Sequence, residues 1–311
     1  MALISSEIGG KIMNRFSYLI EKIRRAEFND DPFKHITIND FFEKDDFEEI
    51  INTPEIKLKP CQTSEELLTQ LKSVDYAAIP FPGSITNEND YLDFINSGKI
   101  NRGLIKGYGK KVIEGYGITY RLKNTSSQIL TEVMDMIESD AFRAALVEKF
   151  NISKNTTYEG GIQKNLKGYE ISPHPDTSRK ALTWMVNIYT DEDDVSSKQM
   201  HTHLCRLVDK YSYVSYVWKN GDCDPCWVPW DWSETVKTTN TNNSITIFEP
   251  SNETLHAVRV NEEHLIHQRN QIYGNLWYEK SQKPRNLPWE KLDLFREMGI
   301  LERGLRKFNL I

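Results

Sequence analysis

The chain has 311 residues, 39% apolar and 27% charged, an ordinary balance for a soluble globular protein with one large core or two modest ones. A formal net charge of −6 with no dense basic face argues against nucleic-acid binding, and no run approaches the roughly eighteen apolar residues of a membrane span. The start, Met1-Ala-Leu-Ile-Ser-Ser-Glu7, lacks the basic and apolar regions of a secretion signal, so a cytoplasmic protein is expected. Cys61, Cys205, Cys223 and Cys226 are too few and too unevenly placed for a disulfide framework, and reduced thiols are the expectation.

Residues 8–27 carry Ile8, Ile12, Phe16, Leu19, Ile20 and Ile23 at helical spacing. Asp31–Asp40 alternates like a strand and leads into a capped helix over Phe41–Ile51. A capping-box signature opens a further helix at Thr63, and Pro80, Pro82 and Gly83 break the chain. Glycines interleave with aromatics over residues 100–123, which predicts short strands or a loop. Ser126–Phe150 is the longest helical pattern, with a break near Asp140. From Thr157 the period changes to two, with strands near Ile162 and over Ala181–Thr190, Leu204–Trp218, Ser244–Glu249, Ala257–Val260 and Gln271–Tyr278. An amphipathic tail follows from Pro288. The pattern predicts a mainly β, α+β protein: a helical and mixed support over 1–156, a double-stranded β-helix (jelly roll) core over 157–280 and a helical tail over 281–311, packed as one unit.

Within the strand-rich region, Ile171-Ser-Pro-His-Pro-Asp176 sets an imidazole and a carboxylate two residues apart. In an extended chain both reach the same object. About eighty residues on, a strand and turn from Ser244 end on His256. Two histidines and one carboxylate suit a divalent metal, and are the facial set of non-haem Fe(II) sites. Arg269 precedes the strand-like Asn270–Tyr278, and its fork can grip a carboxylate at two points.

At His174, Asp176, His256 and Arg269 the chain resembles the 2-oxoglutarate- and Fe(II)-dependent oxygenases, in particular their prolyl-hydroxylase-like branch. Residues 28–56 and 157–278 carry the resemblance. It implies that His174, Asp176 and His256 hold Fe(II) and that Arg269 holds the far carboxylate of 2-oxoglutarate. It further implies that dioxygen is used to hydroxylate a C–H bond of a small-molecule, sugar, amino-acid or peptidyl substrate, with release of succinate and CO2. Retention of Asp176 favours hydroxylation over halogenation. Gly168 fills the place of a glycine that commonly precedes the first histidine by six positions. Asn165 stands where many members have a tyrosine that binds 2-oxoglutarate, and Tyr169 or Tyr189 is the expected replacement. Thr183 and Asn187 are candidates to face the cavity. Arg259, three residues after His256, competes with Arg269 as the anchor.

Other readings stay open. His201, His203 and Cys205 with Cys223 and Cys226 can be drawn as a structural zinc site, or as buried thiols and sheet-lining histidines. The indoles of Trp227, Trp230 and Trp232 can stack on a planar ligand or pin a long loop. Residues 100–120 and 191–200 are candidate lids. The alternative to an oxygenase is a jelly-roll metal-binding protein without 2-oxoglutarate turnover, either a zinc module or a decayed oxygenase.

Overall fold

A computed structural model describes residues 15–79, 85, 87–98, 117–190, 198–220 and 225–280. Its first half supplies α1 (Tyr18–Arg25), β1 (His35–Ile38), α2 (Lys44–Ile51), α3 (Ser64–Ser73), β2 (Tyr76–Ala78), α4 (Glu88–Ser97), β3 (Thr119–Leu122), α5 (Gln128–Glu138) and α6 (Asp140–Phe150). Helix ends follow local chemistry. The Thr63 side chain accepts from the Glu66 amide and starts α3, and Ser139 both ends α5 and caps α6 through the Phe142 amide, which is the break near Asp140. The α4 helix, which the residue pattern did not announce, is capped by Asn87 and stopped by Gly98 at φ 65°.

The second half is β4 (Thr156–Asn165), β5 (Glu170–His174), β6 (Lys180–Asn187), β7 (Thr202–Leu207), α7 (Tyr213–Asn220), β8 (Ser233–Thr239), β9 (Ser244–Phe248), β10 (His256–Arg259) and β11 (Arg269–Tyr278). The strand expected over Leu204–Trp218 is corrected: β7 ends at Leu207, a 3₁₀ turn follows at Asp209–Tyr211, and α7 takes the remainder. Val214 and Trp218, four residues apart, bury one side of that helix. Valines and aromatics suit a strand equally well, so composition alone misleads. The start of the first helix, the glycine-rich 100–116, the loop 191–197 and the tail from 281 lie outside the described residues.

All pairings are antiparallel, in a seven-stranded sheet of order β1-β9-β6-β11-β4-β3-β2 and a four-stranded sheet of order β5-β10-β7-β8. One face of the larger sheet, through Ile162, Leu182, Trp184, Val186, Ile247, Ile272 and Leu276, packs on the helices in the main core. Close packing there is visible at Gly274, where a Cβ would sit 2.2 Å from the Trp184 ring. The other face lines a cavity shared with the smaller sheet. Beyond the smaller sheet, Cys205 and Ala257 pack under Val214, Trp218, Val228 and Trp232, so α7 and the tryptophan segment form a further layer. None of the described helices is long and apolar enough to cross a membrane.

Candidate metal centre and its cavity

His174 ends β5 and His256 opens β10, and the two are cross-strand partners. Their rings lie 4.4 Å apart, and Phe248 packs on the second at 4.9 Å. Asp176 stands two residues beyond the end of β5 rather than within it. One ligand atom from each of His174, Asp176 and His256 falls within 4.8 Å of the others, and this is the one His/Cys/Asp/Glu group among the described residues with metal-holding geometry.

Each imidazole is fixed by a carbonyl two residues earlier. His174 Nδ1 lies 2.8 Å from the Ser172 oxygen and His256 Nδ1 lies 3.2 Å from that of Thr254. A carbonyl can only accept, so Nδ1 carries the proton and Nε2 presents its lone pair. Burial, with the His256 ring beside it, pushes His174 down to about 3. His256 is also lowered, chiefly by burial and against the pull of Asp176. Both rings are therefore neutral near pH 7, the form a metal requires. Burial on its own would raise the Asp176 pKa, but Lys180, the two imidazoles and Thr183 outweigh it and hold the carboxyl below its usual range. Lys180 Nζ stands 2.9 Å from Oδ1 and the Thr183 hydroxyl donates to Oδ2 at 2.6 Å. Oδ2 lies 3.9 Å from His256 Nε2. A carboxylate oxygen has two lone pairs, so the donor set fits a divalent cation while Asp176 keeps both hydrogen bonds.

The same cavity, about 250 Å³, reaches Arg269 at the start of β11. This guanidinium is 2% exposed, and no carboxylate among the described residues pairs with it. Its Nε donates to the Met200 carbonyl at 3.1 Å, Nη1 to Asn165 Oδ1 at 2.5 Å and Nη2 to Thr202 Oγ1 at 2.7 Å. Those bonds use three of five N–H groups, leaving one on each terminal nitrogen. Asn165, whose amide also donates to Thr119 Oγ1 at 2.9 Å, thus braces the arginine.

The remaining candidates separate by face. Tyr169 lines the cavity, with its hydroxyl bonded to Thr119 and under the influence of Arg269. Tyr189 and Asn187 do not line it. The Tyr189 hydroxyl lies 3.4 Å from Asn187 Oδ1, and the Asn187 amide donates to the Thr241 carbonyl at 3.1 Å. Arg259 stands on the outer face, paired twice with Glu170 at 3.0 and 3.1 Å and stacked on Trp230. Gly168 has φ 84°, and a Cβ there would strike Phe94 at 2.3 Å. His203 Nδ1 meets the Thr235 hydroxyl at 3.1 Å, its ring abuts Trp230, and burial pushes the Cys205 thiol up to about 12. His201, His203, Cys205 and Cys226 do not converge as a metal set among the described residues, and Cys223 lies outside them. Trp232 stacks on Tyr211 at 4.3 Å and 7°, inside the outer layer.

Residue reasoning missed Lys180, Thr202, Arg121, Gln163 and Tyr273, all of which line the cavity. Lys180 and Thr183 flank one apolar pair, so only the fold could show that both meet Asp176.

No protein-family model and no curated protein matches the sequence. Solved structures do match. A prolyl-4-hydroxylase from Pseudomonas putida is 8% identical over 85% of this chain and 99% of its own, with a TM-score of 0.43. The non-haem α-ketoglutarate-dependent epimerase SnoN from nogalamycin biosynthesis is 11% identical over 91% and 90%, with a TM-score of 0.39. HygX from Streptomyces hygroscopicus, solved with nickel, 2-oxoglutarate and hygromycin B, is 11% identical over 76% and 95%, with a TM-score of 0.30. The chain is similar in structure, at low identity, to prolyl hydroxylases and other 2-oxoglutarate/Fe(II) oxygenases.

Proposed function

We propose that the protein is an Fe(II)- and 2-oxoglutarate-dependent dioxygenase with a jelly-roll core, hydroxylating a C–H bond of a small-molecule or peptidyl substrate and releasing succinate and CO2. One observation carries the reading: a His-Asp-His set and a buried guanidinium that, among the described residues, keeps two N–H groups unused and has no carboxylate partner line the same cavity. A buried cation without a counter-ion is costly. A dicarboxylate that reaches the metal at one end and Arg269 at the other removes that cost.

His174 and His256 would hold the metal through Nε2, oriented by the Ser172 and Thr254 carbonyls, and Asp176 would hold it through one oxygen. Bound there with 2-oxoglutarate, iron supplies the dioxygen chemistry. Lys180 and Thr183 would hold the carboxylate in place through Oδ1 and Oδ2. Arg269 positions the far carboxylate, with Asn165 and Thr202 keeping its fork turned into the cavity. Ile171 and Val258 line the cavity near the histidines and help exclude water.

The test is an anaerobic titration of the protein with Fe(II) and 2-oxoglutarate, followed by the visible charge-transfer band of the chelated oxo acid. The band is expected in the parent protein, absent in Asp176→Ala and weakened in Arg269→Ala. Zinc held through chelation with no such band would turn the assignment to the metal-binding alternative.

A further inference from the structure

Three polar side chains that this reaction does not use face the same cavity: Arg121, Gln163 and Tyr273. Register makes them neighbours. Arg121 of β3 is opposite Gln163 of β4, Gln163 is opposite Gln271 of β11, and Tyr273 lies two residues further along that strand. Side chains two residues apart in a strand share a face, so all three project from one wall. The Arg121 guanidinium lies 4.2 Å from the centre of the Tyr273 ring. The Arg121–Gln163 row is roughly 7 Å along the strands from the row that ends in Arg269, and Tyr273 is one row further on.

Among the described residues, little of the hydrogen-bonding capacity of this group is used. Among the described residues the ionic partner of Arg121 is Glu159, at a loose 3.5 Å, and Nε is buried with no acceptor. Glu159 is shared, its other oxygen accepting from the Trp277 indole at 2.7 Å. Neither the Gln163 amide nor the Tyr273 hydroxyl has a side-chain hydrogen bond among the described residues. Charge points the same way. Asp176 answers Lys180, and in the proposed reaction the far carboxylate of 2-oxoglutarate answers Arg269. Among the described residues Arg121 is left with a half-exposed carboxylate that it shares.

We infer that Arg121, Gln163 and Tyr273 form an oxyanion subsite for the substrate, one that takes a carboxylate or phosphate group; calling its ligand the substrate rests on the dioxygenase reading. The guanidinium offers its fork to the oxyanion, and the phenol and amide complete the hydrogen bonds. The Tyr273 ring keeps the guanidinium plane in place from one side. The substrate class is therefore anionic: a molecule bearing a carboxylate or phosphate a short span from the C–H bond presented to the metal.

The test uses the full chain loaded with Co(II) and saturating 2-oxoglutarate, so that Arg269 is occupied. Inorganic phosphate and acetate are titrated separately, read by the linewidths of the phosphorus and methyl proton resonances. Saturable broadening is expected for one of them, and which one separates a phosphate from a carboxylate. Arg121→Gln should weaken that binding about tenfold or more. Glu159→Gln removes the competing carboxylate and should tighten it several-fold, a change of opposite sign that a folding defect would not produce. Equal broadening in the parent and both variants, or none in any of them, overturns the subsite. Should the Fe(II)/2-oxoglutarate band be absent, the dioxygenase reading falls on its own. The same phosphate titration on metal-free protein, parent against both variants, then still decides the subsite.

Discussion

Lys164 offers a sharp physical test of the fold. It sits on the core side of β4 with no exposed surface. Its Nζ donates to the Ile56 carbonyl and to Asn270 Oδ1, each at 2.7 Å, and lies 5.5 Å from the Tyr76 ring centre. No carboxylate among the described residues pairs with it, and burial lowers its pKa from 10.5 to about 7. Between those values the unfolded chain binds a proton that the folded chain does not, so stability rises with pH across the window. Below pH 7 both states are protonated and this contribution levels off at its least favourable. At about 1.4 kcal/mol per pH unit, the whole window is worth roughly 5 kcal/mol, of which about 3 should be visible between pH 7 and about 9.5. In Lys164→Met the titrating group is gone, although two acceptors lose their donor at roughly 1–3 kcal/mol each. The assay is urea unfolding of both proteins at several pH values, read as the difference between them. That difference should move by about 3 kcal/mol in favour of the parent as the pH rises. A difference independent of pH would show that the ammonium stays charged in the fold, and would refute the reasoning.

Three further outcomes are expected. Thr183→Val removes the hydroxyl that holds Asp176 Oδ2, and Fe(II) or Co(II) affinity should fall about tenfold while the melting temperature changes little; unchanged affinity in a metal titration would deny it that role. Arg269→Lys keeps the charge but loses the fork, so the dissociation constant for 2-oxoglutarate should rise about 10- to 100-fold with metal binding intact, as read from the charge-transfer band. Glu55 accepts from the Ser126 and Ser127 amides and the Thr125 and Ser127 hydroxyls at the start of α5, and these bonds overcome burial to lower it from 4.5 to about 2. Its stabilisation is present above pH 4.5 and lost as the pH falls towards 2, so Glu55→Gln should cost about 1–3 kcal/mol at neutral pH and flatten acid unfolding across that window.

How much of this was legible in the sequence depends on whether a feature is local. The cap at Thr63, the break near Asp140, the short strand after Asp31 and the strand periods of β9 and β11 are local and could be read. In β6 every residue from Ala181 to Asn187 is buried, because helices cover one face and the cavity lies under the other, so alternation says little about which side chain faces the chemistry. Histidine placement shows the same limit. His264 is more buried than either site histidine, yet it is a pin: its Nδ1 accepts from the Lys167 amide and its Nε2 meets the Ser64 hydroxyl at 2.9 Å. Spacing to a carboxylate singled out His174, and a preceding apolar strand singled out His256; His264 also has a carboxylate two residues away, Glu262, so spacing alone does not separate it from the site.

The least legible feature is the register between β4 and β11, and it decides most of the site. Asn165 is opposite Arg269 and Lys164 is opposite Asn270. Asn165 braces the arginine on the cavity face, while Lys164 and Asn270 bond on the core face. A slip of one residue would send every side chain of β4 to the other side. Lys164 would then enter the cavity as another cation, and Asn165 and Gln163 would be forced under the helices. The signal was present in Ile162, Lys164 and Leu166, a stripe at strand spacing in which the lysine shares the face of two buried apolar residues. Read as a strand, that stripe leaves Gln163 and Asn165 for the opposite face, which is where the structure uses them. The buried lysine and the braced Arg269 are thus two consequences of one pairing, and a variant that relaxes the register should disturb the proposed 2-oxoglutarate binding and the alkaline stability profile together.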